Sequence, residues 1–226
     1  MYTQNNNYRI QGFSFLPPVV KNLLILNVLF FLADITLSTR GIDLTRWLGL
    51  HYFTAKDFYP FQFVTYMFMH GNFSHLFFNM FALWMFGYAL ENYWGSKRFL
   101  AYYLITGIGA GLIQCGVLAW ELAGAAHVYA PAALQHHIDQ IVTVGASGAV
   151  FGILLAFGMC FPNVPIYLYF FIPIKAKWFV IIYGVIELFA GISGTADGVA
   201  HFAHLGGMIF GFFLILYWKK HGSRIR

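Results

Sequence analysis

The chain has 226 residues, of which 60% are hydrophobic and only 9% are charged, and its mean hydropathy is +0.68. This composition excludes an ordinary soluble domain and indicates a polytopic membrane protein whose main solvent is lipid. The net charge of +5 is explained by basic loops beside anionic lipid headgroups, so we expect the lipid bilayer, and not nucleic acid, as a partner.

Six apolar segments predict membrane helices, and the fourth is short with an apolar continuation over 161–171. The segments cover residues 19–38, 74–93, 98–121, 147–161, 177–194 and 201–218. The first contains Asp34 and lacks a small-residue cleavage site, so we do not expect a removed signal peptide. We expect residues 1–18 to form a cytoplasmic N-terminal segment, 19–218 a single membrane domain and 219–226 a basic cytoplasmic tail.

The positions of lysine and arginine predict the orientation of this bundle. Arg40, Arg46 and Lys56 fall on one side of a six-helix arrangement, and the other basic residues, including Arg9, Arg224 and Arg226, fall on the opposite side. Cytoplasmic loops hold an excess of positive charge, so both termini should be cytoplasmic. The short chain, without a transit peptide or extra domain, fits a multi-pass protein of the bacterial inner membrane.

Two long connections interrupt the pattern of short loops. Residues 39–71 mix charged and aromatic side chains with Pro60, and the apolar run 58–69 is amphipathic, so we expect a structured loop that lies partly at the membrane interface. Residues 124–143 contain three histidines but no lysine or arginine. This second connection should lie on the non-cytoplasmic side.

The sequence Gly145-Ala146-Ser147-Gly148 opens the fourth predicted helix and contains a candidate nucleophile. Serine becomes nucleophilic when a base accepts its proton, and small neighbours let a substrate carbonyl approach. The first amides of a helix have no intrahelical acceptor, so the Ser147 and Gly148 N–H groups are candidate oxyanion donors. The alternative is that these small residues only pack against another helix.

His204 lies within the sixth predicted helix, where an ionisable residue is costly and suggests a function. Gly207 and Gly211 share its helical face and permit close approach of another helix, which could bring His204 to Ser147 as a general base. The alternative is a polar core residue with satisfied hydrogen bonds.

His201 and His204 also have a spacing that could contribute to a metal site. Further ligands would have to come from the membrane-embedded acids or histidines: Asp34, His70, His75, Glu91 and Glu187. No HExxH or ExxH motif is present and the sixth helix supplies no acid beside its histidines, so we predict no metal site.

His75 and Asn79 lie four residues apart at the start of the second predicted helix and therefore share a face. Both side chains can donate hydrogen bonds, so they are candidates for stabilising an oxyanion. They could equally hold the preceding loop in place.

Together these motifs resemble those of the rhomboid intramembrane serine proteases. His75 to Asn79 is similar to the family's HxxxN, Gly145 to Gly148 to its GxSG, and the segment from Ala203 through His204, Gly207 and Gly211 to its AHxxGxxxG. The resemblance implies a six-helix bundle in which Ser147 attacks and His204 is the base, without a third acidic member. It also implies an oxyanion site formed by His75, Asn79 and main-chain amides, and makes His201 a neighbour of the site.

Smaller agreements and one departure complete the resemblance. Gly87 to Glu91 is similar to the family's GxxxE, whose carboxylate would hold nearby loop groups, and Phe151 is where the family places an aromatic ring against the base. Some members have Trp-Arg in the first loop, where this chain has Phe61-Gln62. Without the guanidinium, the internal bonding of that loop should differ.

The function expected from the resemblance is cleavage of transmembrane protein substrates by a Ser147–His204 dyad that needs no cofactor. One alternative is a non-catalytic rhomboid-like protein that binds membrane clients. Another is a histidine-rich metal or proton transporter, for which Asp34 and Glu187 are the relevant acids.

Overall fold

The computed structural model describes residues 14–168, 171–193 and 199–221. Most of the predicted N-terminal segment, with Arg9, and the end of the predicted tail, with Arg224 and Arg226, lie outside the described residues. The helices of the described part are α1 (Pro18–Ser38), α2 (Leu44–Leu48), α3 (Gln62–Thr65), α4 (Phe73–Trp94), α5 (Ser96–Ala125), α6 (Pro131–Gln140), α7 (Ser147–Cys160), α8 (Ala176–Ser193) and α9 (His201–Lys220). The strands are β1 (Leu50–His51), β2 (Val142–Thr143), β3 (Pro165–Leu168) and β4 (Ile172–Lys175).

The helices agree with the predicted membrane segments. Within the described residues, α1, α4, α5, α8 and α9 are long and apolar enough to cross a bilayer, and α7 is a shorter apolar helix of 14 residues. At 1.5 Å per residue α7 is about 21 Å long, less than the roughly 30 Å hydrocarbon core. The prediction of a mainly helical membrane bundle is confirmed.

The apolar continuation after the fourth predicted helix is not helical. α7 ends at Cys160, and the following segment contains β3, which pairs antiparallel with β4 from Pro165↔Lys175 to Leu168↔Ile172. Pro162 and Pro165 lack the N–H groups that a continuing helix would need. The apolar residues here therefore belong to a hairpin.

Helices α5, α7 and α9 pack closely because small residues line their contacts. A Cβ atom added to Gly207 on α9 would overlap the carbonyl oxygen of Gly148 on α7, so the two backbones are in direct contact. Tyr102 on α5 donates a 2.9 Å hydrogen bond to the Gly152 carbonyl oxygen, and a Cβ at Gly211 would overlap the Tyr102 hydroxyl. The glycine face expected to bring the last helix against the fourth predicted helix is thus a packing surface for two helices.

Helices α1 and α8 lie at the edge of the bundle. In the apolar 18-residue stretch of each helix, only 17% is buried inside the protein, compared with 44% in the corresponding stretch of α5. The beginning of α1 is fixed by Glu91, whose carboxylate accepts hydrogen bonds from the Val19 and Val20 N–H groups at 2.9 and 2.8 Å and from the Ser96 hydroxyl at 2.6 Å. Glu91 therefore satisfies amides that have no acceptor within α1.

The connection between α1 and α4 is structured, as expected. It contains α2, β1, α3 and a 3₁₀ turn at Tyr66–Phe68. Gln62 is fully buried and organises the loop: its side chain accepts from the His51 and Tyr59 N–H groups and donates to the Trp47 and Asp57 carbonyl oxygens. The amide thus supplies the internal bonding of a loop without the Trp-Arg pair, while Phe61 remains exposed.

The second long connection packs against this first loop. β1 and β2 pair antiparallel, with Leu50 opposite Thr143 and His51 opposite Val142. The sequence did not predict α6, whose Ile138 joins Ala55 and Leu122 in a small apolar cluster separate from the main core. The two connections therefore form one layer at the end of the bundle where α7 begins.

Candidate active site

Ser147 is the first residue of α7. The first backbone hydrogen bond of this helix runs from the Val150 N–H to the Ala146 carbonyl oxygen. The N–H groups of Ser147 and Gly148 therefore precede the first amide that has an intrahelical acceptor. Ser147 is partly exposed, whereas Gly145, Ala146 and Gly148 around it are buried. The hydroxyl thus lies at a helix terminus, beside amides that have no acceptor within the helix.

Gly145 brings the imidazole of His75 close to Ser147. The φ of Gly145 is 123°, a backbone conformation that residues with a side chain rarely adopt. The Gly145 N–H donates a 2.9 Å hydrogen bond to the Tyr66 carbonyl oxygen. A Cβ atom at Gly145 would lie 2.7 Å from Nε2 of His75 and 3.5 Å from Oγ of Ser147. The absence of that carbon leaves the space in which His75 and Ser147 are neighbours.

Asn79 and His70 lie on either side of His75. Asn79 is buried, and its Nδ2 donates a 2.9 Å hydrogen bond to the His75 carbonyl oxygen one turn earlier on α4. The ring of His70, in the loop before α4, meets the His75 ring edge-on with centroids 5.0 Å apart. Burial and the neighbouring His75 lower the pKa of His70 to about 4, so His70 is neutral at physiological pH.

The His204 ring is held against α7. It stacks on the Phe151 ring with centroids 4.2 Å apart and an interplanar angle of 6°. Phe151 lies one turn after Ser147, and Gly207, one turn after His204, contacts the Gly148 backbone. The residues flanking the candidate nucleophile therefore contact those flanking the candidate base.

The structure does not place every candidate in direct contact. Among the residues it describes, no hydrogen bond joins the Ser147 hydroxyl to His204, whose Nδ1 contacts Glu187. Catalytic hydrogen bonds are often long or poorly aligned before substrate binds. Glu91 and Gly211 contact other parts of the bundle, where they contribute to packing and not to the site.

The sequence interpretation missed a carboxylate beside the candidate base. Glu187 on α8 has its Oε2 2.8 Å from Nδ1 of His204 and 2.8 Å from Nδ1 of His201. The last helix indeed has no acid near its histidines, but the preceding helix supplies one. The signal was a single glutamate in an apolar helix, and the order of residues in that helix does not indicate which side chain the glutamate faces.

Glu187, His201 and His204 also form the one group of three potential metal ligands found among the described residues, with ligand atoms all within 4.8 Å. Two ligands of a tetrahedral zinc ion at usual bond lengths lie about 3.3 Å apart. The two 2.8 Å contacts are shorter and match hydrogen bonds in which a carboxylate accepts from two imidazole N–H groups. The donors are therefore those of a metal site, but their arrangement is that of a hydrogen-bonded network.

The chain is similar in sequence to a known domain family and to several known proteins. The model of the Rhomboid domain matches residues 57–221, which contain every candidate site residue. The chain is 32% identical over 222 residues to Rhomboid-like protein 11, chloroplastic, of Arabidopsis thaliana, a match that covers 89% of the chain and 65% of the relative.

Two bacterial relatives are named as proteases. Rhomboid protease AarA of Providencia stuartii is 33% identical over 148 residues, covering 64% of this chain and 51% of the relative. Rhomboid protease GluP of Bacillus subtilis is 32% identical over 145 residues, covering 64% of this chain and 23% of the relative. The chain thus spans less than two thirds of the length of each of these relatives.

The matched region includes α4, α7 and α9, which carry the serine, the histidines and the asparagine, and its helices are apolar enough to cross a membrane several times. The chain is an integral, multi-pass membrane protein and belongs to the rhomboid family.

Proposed function

We propose that this protein is an intramembrane serine endopeptidase that cleaves transmembrane segments of other membrane proteins. The observation that carries the proposal is the position of Ser147 at the start of α7. Phe151, one turn later on α7, stacks against the ring of His204 on α9. Two relatives named as rhomboid proteases support the same class of reaction. We infer that the protein resides in a bacterial inner membrane with both termini in the cytoplasm.

In the proposed reaction, His204 accepts the Ser147 proton as the hydroxyl attacks a substrate carbonyl. Its Nδ1 is occupied by Glu187, so Nε2 is the nitrogen available for this proton. The resulting oxyanion accepts hydrogen bonds from the N–H groups at the start of α7, and His75 and Asn79 are the side chains proposed to assist. His204 then protonates the leaving amine, and water hydrolyses the acyl-enzyme.

The proposed site also suggests which substrates are suitable. A peptide bond within a helix is shielded by its own hydrogen bonds, so a substrate must unwind before Ser147 can attack it. Transmembrane segments with glycine, proline or other small residues near the non-cytoplasmic edge should unwind most easily. His70 and His75 near the site, together with the start of α4, offer polar groups for the water that hydrolysis requires.

The proposal is tested with a membrane-embedded reporter and a fluorophosphonate label. Ser147→Ala and His204→Asn should each abolish cleavage, and label should attach to Ser147 in the unchanged protein but be lost in the His204 variant. Ser38→Ala is a matched control, because Ser38 is an exposed residue at the end of α1. Cleavage that persists in Ser147→Ala would refute the mechanism. Specific binding of membrane segments without cleavage or labelling would instead support a client-binding protein.

A further inference from the structure

We propose that Glu187 is a positioning residue for His204, holding the imidazole in the orientation and tautomer needed for a general base. The inference rests on the proposed function, and it replaces a two-residue mechanism with one in which a carboxylate acts through the base. It is carried by contacts between α8 and α9 that involve neither Ser147 nor the oxyanion donors.

Glu187 lies on the inward face of α8. α8 faces mostly outward, and its buried residues are Ala176, Val180 and Glu187. The carboxylate is therefore one of the few α8 side chains that point into the protein, with only 7% of the residue exposed. Burying a carboxylate is costly unless it is paired, and Glu187 is paired with the Nδ1 atoms of two imidazoles.

The His204 ring is restrained by two contacts, one with Phe151 and one with Glu187. Phe151 stacks parallel to its face and Glu187 accepts a hydrogen bond from its Nδ1 edge, so the tilt and the rotation of the ring are both restricted. A carboxylate acceptor requires a proton on Nδ1, which leaves the lone pair of the neutral ring on Nε2. This is the tautomer that can remove a proton from a serine hydroxyl.

The charged and titratable groups around the His204 ring come from three helices. From α8, Glu187 contacts His204, and Tyr183 contacts the Phe151 ring. Among the described residues, two further titratable groups lie near the His204 ring, His201 on α9 and His75 on α4.

On its other sides, this part of α9 packs against uncharged residues: Gly148 and Phe151 of α7, and Ala110 and Ile113 of α5. Among the described residues, Glu187 is thus the acidic group positioned to stabilise the imidazolium that forms when Ser147 loses its proton.

His201 shares the carboxylate without sharing this role. Its Nδ1 contacts the same Glu187 oxygen at 2.8 Å, and it lies nearly one turn before His204 on α9. Replacing His201 removes one of two donors but leaves the Glu187–His204 bond in place. His201→Gln therefore separates a carboxylate that orients His204 from a cluster that needs all three side chains, as a metal site would.

The experiment measures the rate of fluorophosphonate labelling of Ser147 in the full chain, in detergent micelles, at neutral pH. Glu187→Gln should lower this rate by about 100-fold, since loss of the carboxylate in a serine triad is strongly inhibitory. Cleavage of a peptide reporter should show the loss in kcat, with KM changed by less than about twofold.

Three further variants exclude a merely structural effect. Glu187→Asp keeps the charge and should restore most of the labelling rate that Glu187→Gln loses. Asp34→Asn, which removes a carboxylate from α1, and His201→Gln should each stay within about threefold of the unchanged rate. Thermal unfolding of each variant identifies any loss of folded protein.

Each outcome has a definite meaning. Labelling of Glu187→Gln at an unchanged rate would overturn the role of Glu187 while leaving the proposed function intact. Absence of labelling in the unchanged protein would instead contradict the proposed function. One equivalent of zinc in the purified protein, lost in both Glu187→Gln and His201→Gln, would identify a metal site and overturn the inference.

Discussion

Helix α9 meets two very different neighbours. Against α7 the contact is backbone on backbone, because Gly207 and Gly148 leave no space for a side chain between them. Against α8 the contact includes the longer side chains of Glu187, His201 and His204. Only 17% of the apolar 18-residue stretch of α8 is buried inside the protein. The backbone contact sets the distance between α7 and α9. The contact between α8 and α9 is made by hydrogen bonds between side chains, which can change rotamer.

This difference matches two requirements of the proposed mechanism. The helices carrying the proposed nucleophile and base would need a fixed separation, which close packing of glycines provides. A transmembrane substrate would need an edge that can move, and the weakly buried α8 is the element of the candidate site with the fewest inward-facing residues. In the proposed mechanism Glu187 belongs to that edge, so movement of α8 would alter the base directly.

The largest expected effect comes from filling the α7–α9 contact. Gly207→Ala should lower the free energy of unfolding by about 3 kcal/mol or more, because its Cβ would overlap the Gly148 carbonyl oxygen and the helices would have to separate. Gly184→Ala on α8 is the matched control, since a Cβ there would lie 3.4 Å from the Cε of Met208, an ordinary contact. Denaturation in micelles should show the control neutral or stabilised by about 0.5–1 kcal/mol. Equal losses in the two variants would contradict the contrast between the α7 and α8 sides.

A smaller effect is expected where a peripheral helix is attached by side-chain bonds. Glu91→Gln should cost about 2–3 kcal/mol, because one amide oxygen cannot replace both carboxylate oxygens that accept from Val19 and Val20. Hydrogen exchange should increase in the first turn of α1 and remain unchanged in α7. Glu121 is an exposed acid on α5, and Glu121→Gln should change neither the free energy of unfolding nor the hydrogen exchange of α1. Unchanged exchange at Val19 and Val20 in Glu91→Gln would show that α1 is held in another way.

The smallest effect is a pH dependence caused by His70. Because burial lowers its pKa to about 4 in the folded protein, the unfolded chain binds more protons between that value and about 6.5, and stability is lost as the pH falls through this range. The loss at pH 5 should be about 2 kcal/mol relative to pH 7.5. His70→Gln should remove this part of the pH dependence. A variant with the same acid sensitivity as the unchanged protein would assign the effect to other groups.

The sequence was informative wherever a local pattern determines structure. Apolar segments predicted the long helices to within a few residues, and the small residues around Ser147 marked the start of α7. The family resemblance favoured His204 over His201 as the proposed base, and the structure places His204 against Phe151. The helix bounds, in contrast, follow from local composition and from one helix face at a time.

What the sequence did not reveal depends on contacts between distant segments. The rotation of α8 that turns Glu187 toward His204 cannot be read from a helix that is apolar on nearly every side. The two-residue pairing of β1 with β2 is too short to leave an alternating pattern. Gln62 shows the same limitation, since a glutamine in an aromatic loop gives no sign that four backbone groups converge on it.

The attachment of the α7 entry to the first loop has a consequence for how the protein is made. β2 is paired with β1, and the Gly145 N–H is bonded to the Tyr66 carbonyl oxygen, so the segment leading to Ser147 rests on a loop that is synthesised earlier. Glu187 and then His204 follow Ser147 in the chain. During synthesis the support is therefore made first and the proposed base last. An incomplete chain that ends before α9 would have a correctly supported serine and no histidine to activate it.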